Sequence, residues 1–229
     1  MKHGKSYNKG LELFDRDQDY AIGEAMDLIA QMPKAKFDES VDVAVRLGVD
    51  PRHADQMVRG TIVLPHGTGK DVRVLVITRG PKEQEAKDAG ADMVGADEYL
   101  PKIKDGWTDV DVIIATPDMM GEMGKLGRVL GPRGLMPNPK VGTVTMDVTK
   151  AVKEAKAGRI EYRVDKAGII NVAVGKRSFA AAELADNITT LVKELLRVKP
   201  ASVKGIYVRS MFVSGTMTPS IRVDSNSCS

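Results

Sequence analysis

Val72-Arg73-Val74-Leu75-Val76-Ile77 is a run of β-branched and aliphatic residues interrupted by one arginine. It shows no alternation of apolar and polar positions. Such a run predicts a strand covered on both faces, as in a parallel sheet flanked by helices. Working downstream, residues 81–88 read as a charged helix, with Gly90 placed just past its end. Ala91-Asp92-Met93-Val94-Gly95 reads as a short strand. Residues 110–115 read as another buried strand, closed by Thr116-Pro117-Asp118. Strand, helix, strand, helix, strand in this order is the signature of a small open α/β unit.

Beyond that unit lies Gly124-Lys125-Leu126-Gly127-Arg128-Val129-Leu130-Gly131-Pro132-Arg133-Gly134-Leu135-Met136-Pro137-Asn138-Pro139-Lys140. Its prolines forbid a continuous helix or a central strand. Its glycines permit close backbone approaches. The segment therefore reads as a shaped loop. Lys125, Arg128, Arg133 and Lys140 suit either an anion site or a solvated connector. Residues 150–156 look helical and stop at Gly158.

The pattern differs on both flanks. The first ten residues are polar and basic, a frayed arm or the start of a short helix. Ile22, Ala25, Met26, Ile29 and Met32 make a helical stripe that Pro33 ends. Val41, Val43, Val45 and Leu47 alternate, as in a strand with one buried face. Residues 61–64 read as a short buried strand. On the far side, residues 160–164 and 169–174 read as two strands of a hairpin turned by Asp165-Lys166-Ala167-Gly168. Leu184, Ile188, Leu191, Val192, Leu195 and Leu196 mark the strongest amphipathic helix, ended by Pro200. Residues 205–213 and 221–223 close the set as strands.

Neither flank has enough elements for its own core. The fold expected is α/β with two domains. Residues 1–67 plus 159–229 form a discontinuous α+β domain, and residues 68–158 form an inserted three-layer Rossmann-like α/β domain. Gly67 and Gly158, at the two crossings, are the expected hinge.

Composition bounds the function. The 229 residues carry a net charge of +3, and aromatics make up only 4%. Residues 1–67 have a net charge of −2, residues 68–158 of 0 and residues 159–229 of +5. Positive charge segregated in this way favours a nucleic-acid partner. The single cysteine, Cys228, allows no internal disulfide and fits a reducing compartment. No apolar run approaches a membrane span and no signal-peptide pattern opens the chain, so a cytoplasmic protein is expected.

Catalytic chemistry finds little support. His3, His53 and His66 show no zinc spacing. His66-Gly67-Thr68-Gly69-Lys70-Asp71 lacks the spacing of a phosphate loop. A nucleotide-dependent enzyme built on the α/β unit is thus the weaker reading, and no metal or cofactor is implied. Polar and basic residues beside short strands are better represented. Lys34-Ala35-Lys36-Phe37 supplies cations for phosphates and a ring for stacking, or for the edge of the core. Arg209-Ser210 and Thr216-Met217-Thr218-Pro219 flank the late strand.

A resemblance gathers these motifs. Val58-Arg59-Gly60-Thr61, Leu64-Pro65-His66-Gly67, Ala115-Thr116-Pro117-Asp118, Leu130-Gly131-Pro132-Arg133-Gly134-Leu135-Met136-Pro137-Asn138-Pro139-Lys140, and Ala157-Gly158-Arg159-Ile160-Glu161-Tyr162-Arg163 stand in order. With Ala35-Lys36-Phe37-Asp38-Glu39 and Met217-Thr218-Pro219, the chain resembles the bacterial ribosomal protein L-one family, the mobile side-stalk protein of the large subunit. The resemblance implies a protein that catalyses nothing, is a monomer when free, and binds the side-stalk region of large-subunit rRNA. It implies help in releasing exit-site tRNA and repression of its own operon mRNA. Carried over, the rRNA-binding residues are Lys36, Phe37, Glu39, Ser40, Arg163, Lys166, Ser210, Thr216, Met217 and Thr218, with Phe37 packed on Met217. Arg52, Arg128 and Lys166 would face tRNA. Thr218 stands where the family usually has glycine, which introduces a Cβ or a hydroxyl near the RNA.

Overall fold

The computed structural model describes residues 4–224. Cys228 and the 225–229 tail lie outside the described residues. The chain is mixed α/β, and its contacts gather into two compact units. One is made from the residues up to Gly69 and from Ile160 onward; the other spans Lys70–Arg159.

The first unit begins with α1 (Lys5–Leu11) and α2 (Ile22–Gln31). The Glu24 carboxylate accepts the Ala21 N–H and fixes the start of α2. Then follow β1 (Ser40–Leu47) and β2 (Arg59–Val63). The second unit supplies β3 (Val74–Ile77), α3 (Lys82–Asp88), β4 (Met93–Val94), α4 (Tyr99–Lys104), β5 (Val112–Ala115), α5 (Met120–Lys125), α6 (Gly127–Leu130) and α7 (Val148–Lys156). The chain closes with β6 (Arg159–Arg163), β7 (Ile169–Lys176), α8 (Ala181–Arg197), β8 (Val208–Gly215) and β9 (Ile221–Val223).

A four-stranded sheet of order β7-β1-β8-β9 organises the first unit, with β1 and β8 inside it. All its named pairings are antiparallel. Val41, Val43, Val45 and Leu47 face inward with Met211, Val213, Ile170 and Val172. Against that face lie α2, through Ala25, Met26 and Ile29, and α8, through Leu184, Ile188, Leu191 and Leu195. Each fully buried aliphatic of α8 contributes about 1.5–3 kcal/mol by leaving water. The opposite face, carrying Ser40, Asp42, Ala44 and Arg46 on β1 and Ser210, Phe212 and Ser214 on β8, is half-buried or exposed.

In the second unit the parallel strands run in the order β4-β3-β5. Alternate residues sort to two faces, as a pleated strand requires. Leu75, Ile77, Ile113 and Ala115 pack with Ile103, Met123 and Leu130 of α4, α5 and α6. Val74, Val76 and Ile114 pack with Ala86 of α3 and with Val148, Ala151, Val152 and Ala155 of α7. The Asp147 side chain accepts the Lys150 N–H and caps α7.

Three local expectations are corrected. Residues 160–174 are not a hairpin: β6 pairs with β2, and β7 pairs with β1. The turn chemistry is nevertheless present, since Asp165 Oδ1 accepts the N–H of Ala167 and of Ile169. It redirects the chain from one sheet into another. Second, β2 is not buried; Tyr162 of β6 covers Gly60, where an added Cβ would lie 2.5 Å from the Tyr162 hydroxyl. Third, the first half of the 124–140 segment is helical. Met119, Met123, Leu126 and Leu130 are buried on one side, and that stripe outweighs the helix cost of its glycines.

Candidate RNA interface

The residues that open β1 and close β8 meet at one end of the four-stranded sheet. Ser40 N–H donates to the Thr216 hydroxyl at 3.1 Å, and Thr216 N–H donates to the Ser40 carbonyl at 3.0 Å. Lys176, the last residue of β7, donates from Nζ to Ser40 Oγ at 3.0 Å. Gly215 to Thr218 form a tight turn, with Thr218 N–H on the Gly215 carbonyl at 3.2 Å. The turn lifts Thr216 and Met217 into solvent. Lys36 and Phe37 stand on the neighbouring 33–39 loop, whose Asp38 accepts the Ser178 N–H and hydroxyl.

Phe37 is 55% exposed and Met217 is 62% exposed, and neither belongs to the core. Burying an exposed aromatic ring and a thioether is favourable, so the pair is available to a partner. The edge-of-core alternative for Phe37 is therefore set aside.

Glu39 is a correction. Expected on the interaction surface, it is 1% exposed and already engaged inside the protein. Oε1 accepts the Ala35 N–H at 2.9 Å and Arg177 Nη1 at 2.9 Å; Oε2 accepts the Met217 N–H at 3.0 Å. Burial alone pushes its carboxyl up. The two backbone N–H donors, together with the hydrogen bond and charge of Arg177, outweigh burial and hold it below the ordinary glutamate range.

The Thr218 side chain is turned toward its own loop. Its Oγ1 accepts the Gly215 N–H at 2.7 Å, and its backbone needs no positive φ. The crowded position is instead Gly215. A Cβ there would meet Thr218 Oγ1 at 3.1 Å and Glu39 Oε2 at 3.2 Å. Thr218→Gly is expected to loosen this turn by about 0.5–1.5 kcal/mol, the worth of one hydrogen bond. Faster amide exchange at Gly215 is the measurement that checks it.

The remaining sequence-predicted residues lie elsewhere. Ser210 pairs opposite Arg46, six residues from Thr216, or about 20 Å along the strand. Lys166 sits in the 165–168 turn, whose Gly168 carbonyl accepts the Leu47 N–H at that same far end of β1. Arg163 closes β6, and Val164 donates to the Val58 carbonyl. Arg52 is exposed in the turn after β1, and Arg128 is exposed on α6 of the second unit. Gly67 and Gly158 both have positive φ, 68° and 91°.

Sequence reasoning missed the outward face between the two ends, with Asp42, Phe212, Ser214 and Arg46. The signal was the second phase of the same alternation that revealed the core. Burial pushes the Asp42 carboxyl up, and the Lys176 ammonium opposes it. Arg177 was missed as well, because nothing local marks it as buried.

Hydroxyls, two exposed apolar side chains and cations converge here at one hydrogen-bonded strand end. Among the described residues, no group of three or more His, Cys, Asp or Glu is placed to hold a metal ion. No helix among them is long and apolar enough to cross a membrane. Fold and site define a polar binding surface at one end of an antiparallel sheet in a mixed α/β protein. The model of the Ribosomal protein L1p/L10e family matches residues 28–219, and the chain belongs to that family. It is 58% identical over 220 residues to large ribosomal subunit protein uL1 of Chlorobaculum tepidum, covering 96% of this chain and 95% of the relative. The uL1 of Chlorobium chlorochromatii is 59% identical over 220 residues, covering 96% of both chains.

Proposed function

We propose that this chain is a structural RNA-binding protein of the large ribosomal subunit in the cytoplasm, and that it grips the side-stalk region of large-subunit rRNA with the β1/β8 end of its four-stranded sheet. The observation that carries this reading is the convergence of Lys36, Phe37, Ser40, Thr216 and Met217 on one end of the four-stranded sheet. Hydroxyls are suited to ribose 2′-hydroxyls, and cations to the phosphates between them. Ser210, Arg163 and Lys166 form a second, more distant contact on the same rRNA. Residues 1–67 plus 159–229 act as the rRNA-binding domain. Residues 68–158 are an inserted Rossmann-like domain carried on a hinge at Gly67 and Gly158.

Exit-site tRNA is the second partner, met by the exposed Arg52, Arg128 and Lys166. The third is the protein's own operon mRNA, whose translation the protein represses by binding it through the same surface that takes rRNA. The chain is a monomer when free and uses no cofactor.

The test is a filter-binding titration with the side-stalk fragment of large-subunit rRNA. Phe37→Ala and Met217→Ala are each expected to weaken binding by about 1–3 kcal/mol, the scale of one well-packed anchor. Affinity should fall with salt in proportion to the phosphates neutralised. Unchanged affinity in both variants would remove this edge as the site.

A further inference from the structure

Arg177 follows β7 directly and its side chain is only 5% exposed. Nη1 donates to the Glu39 carboxylate at 2.9 Å and to the Pro33 carbonyl at 3.1 Å. Nη2 donates to the Ile29 carbonyl at 2.7 Å and to that of Met32. These carbonyls lie at and just beyond the C-terminal end of α2, where a helix leaves its acceptors without intrahelical partners. The Arg177 N–H also donates to the Glu39 carbonyl at 2.8 Å. One guanidinium therefore joins the end of α2 to Glu39. Through its two oxygens, Glu39 joins the 33–39 loop at Ala35 to the 215–218 turn at Met217.

We propose that Arg177 is a positioning residue for RNA recognition: through Glu39 it fixes the 33–39 loop and the 215–218 turn relative to each other before RNA arrives. The proposal rests on reading this end of the sheet as the rRNA site. Arg177 is too deeply buried to be a phosphate contact. Without it, the carboxylate that both segments donate to keeps its backbone donors but loses its charge partner and its tie to the end of α2. The fork of donors is what the geometry uses, since a lysine ammonium cannot span a carboxylate and several carbonyls in one plane.

When only a fraction of molecules is competent, apparent affinity falls by that fraction. The experiment measures association and dissociation of the side-stalk rRNA fragment with the full chain, together with amide exchange in the free protein. Arg177→Met is expected to slow association about tenfold, as for a competent fraction cut to about a tenth, and to leave dissociation nearly unchanged. The salt slope stays at its original value, whereas Lys36→Ala lowers it. The Ala35 and Met217 amides exchange faster in Arg177→Met. Arg177→Lys keeps the charge and the fold, and falls between the two.

Unchanged association in both Arg177 variants, or Ala35 and Met217 amides still fully protected, overturns the proposal while leaving the RNA reading intact. A reduced salt slope in Arg177→Met overturns it in favour of a direct phosphate contact. Failure of the unaltered protein to bind the fragment overturns the RNA reading, and the proposal with it.

Discussion

Glu39→Gln is expected to cost about 3 kcal/mol of folding stability, at the lower end of what breaking a buried ion pair costs, and to weaken rRNA-fragment binding as well. Three donors converge on the Glu39 carboxylate: the N–H groups of Ala35 and Met217, and Arg177 Nη1. A glutamine amide offers one acceptor oxygen, so at least one donor would face an NH₂ group. The Arg177 charge would be left buried without its anion. The backbone carbonyls around its Nη2 soften the loss, which keeps the figure near the bottom of the range.

The pH dependence follows from the lowered carboxyl. The native state holds Glu39 ionised at pH values where the unfolded chain already binds a proton. The stability it confers is fully present above the ordinary glutamate range and is lost as pH falls through the lower native value. Urea unfolding between pH 6 and 3 should show that acid loss in the unaltered protein and a flatter profile in the variant, in steps of about one unit. Equal profiles in the two proteins would sink this account of Glu39.

Asn187→Leu is expected to destabilise by a similar amount, about 2–5 kcal/mol. Asn187 is fully buried on α8. Its Oδ1 accepts the His66 N–H at 3.2 Å, and its Nδ2 donates to the carbonyls of Gly67 at 3.0 Å and Val174 at 2.8 Å. Leucine fills much the same space but leaves those three backbone groups without partners, at about 1–3 kcal/mol for each one that stays dry. The Val174 carbonyl bond is the most enclosed of the three. The His66–Asp186 pair at 3.2 Å lies on the exposed side of the same turn and contributes little. Urea unfolding gives the magnitude, and amide exchange at His66 locates it. A stable variant with a protected His66 amide would show that water replaces the side chain at no cost.

Periodic elements could be read from the sequence because their physics is local. The stripe of α2, the alternation of β1 and the long amphipathic face of α8 each record which side meets the core. The central apolar run likewise announced β3 and its two covered faces. Pairing could not be read in the same way. Asp165-Lys166-Ala167-Gly168 makes the turn its composition promises, yet β6 and β7 then go to different partners. Strand pairing depends on Val58 and on β1, far off in sequence. The helices α5 and α6 were hidden by glycines, although Met119, Met123, Leu126 and Leu130 carried a helical spacing all along. Of the candidate site, Lys36, Phe37, Ser40, Thr216 and Met217 converge as a group. Glu39 was misplaced because its burial is decided by Arg177, 138 residues further along the chain.

The Ser40–Thr216 hydrogen bond closes across 176 residues. A polypeptide still being synthesised carries Lys36, Phe37 and Ser40 early, but it has no β8 to set beside β1 until nearly all of its length has been made. Neither half holds the other's geometry alone, since the Met217 N–H and Glu39 meet only after β8 has docked. Completion of this sheet end is thereby tied to completed biosynthesis: a prematurely terminated product that lacks β8 lacks the Ser40–Thr216 and Glu39–Met217 hydrogen bonds.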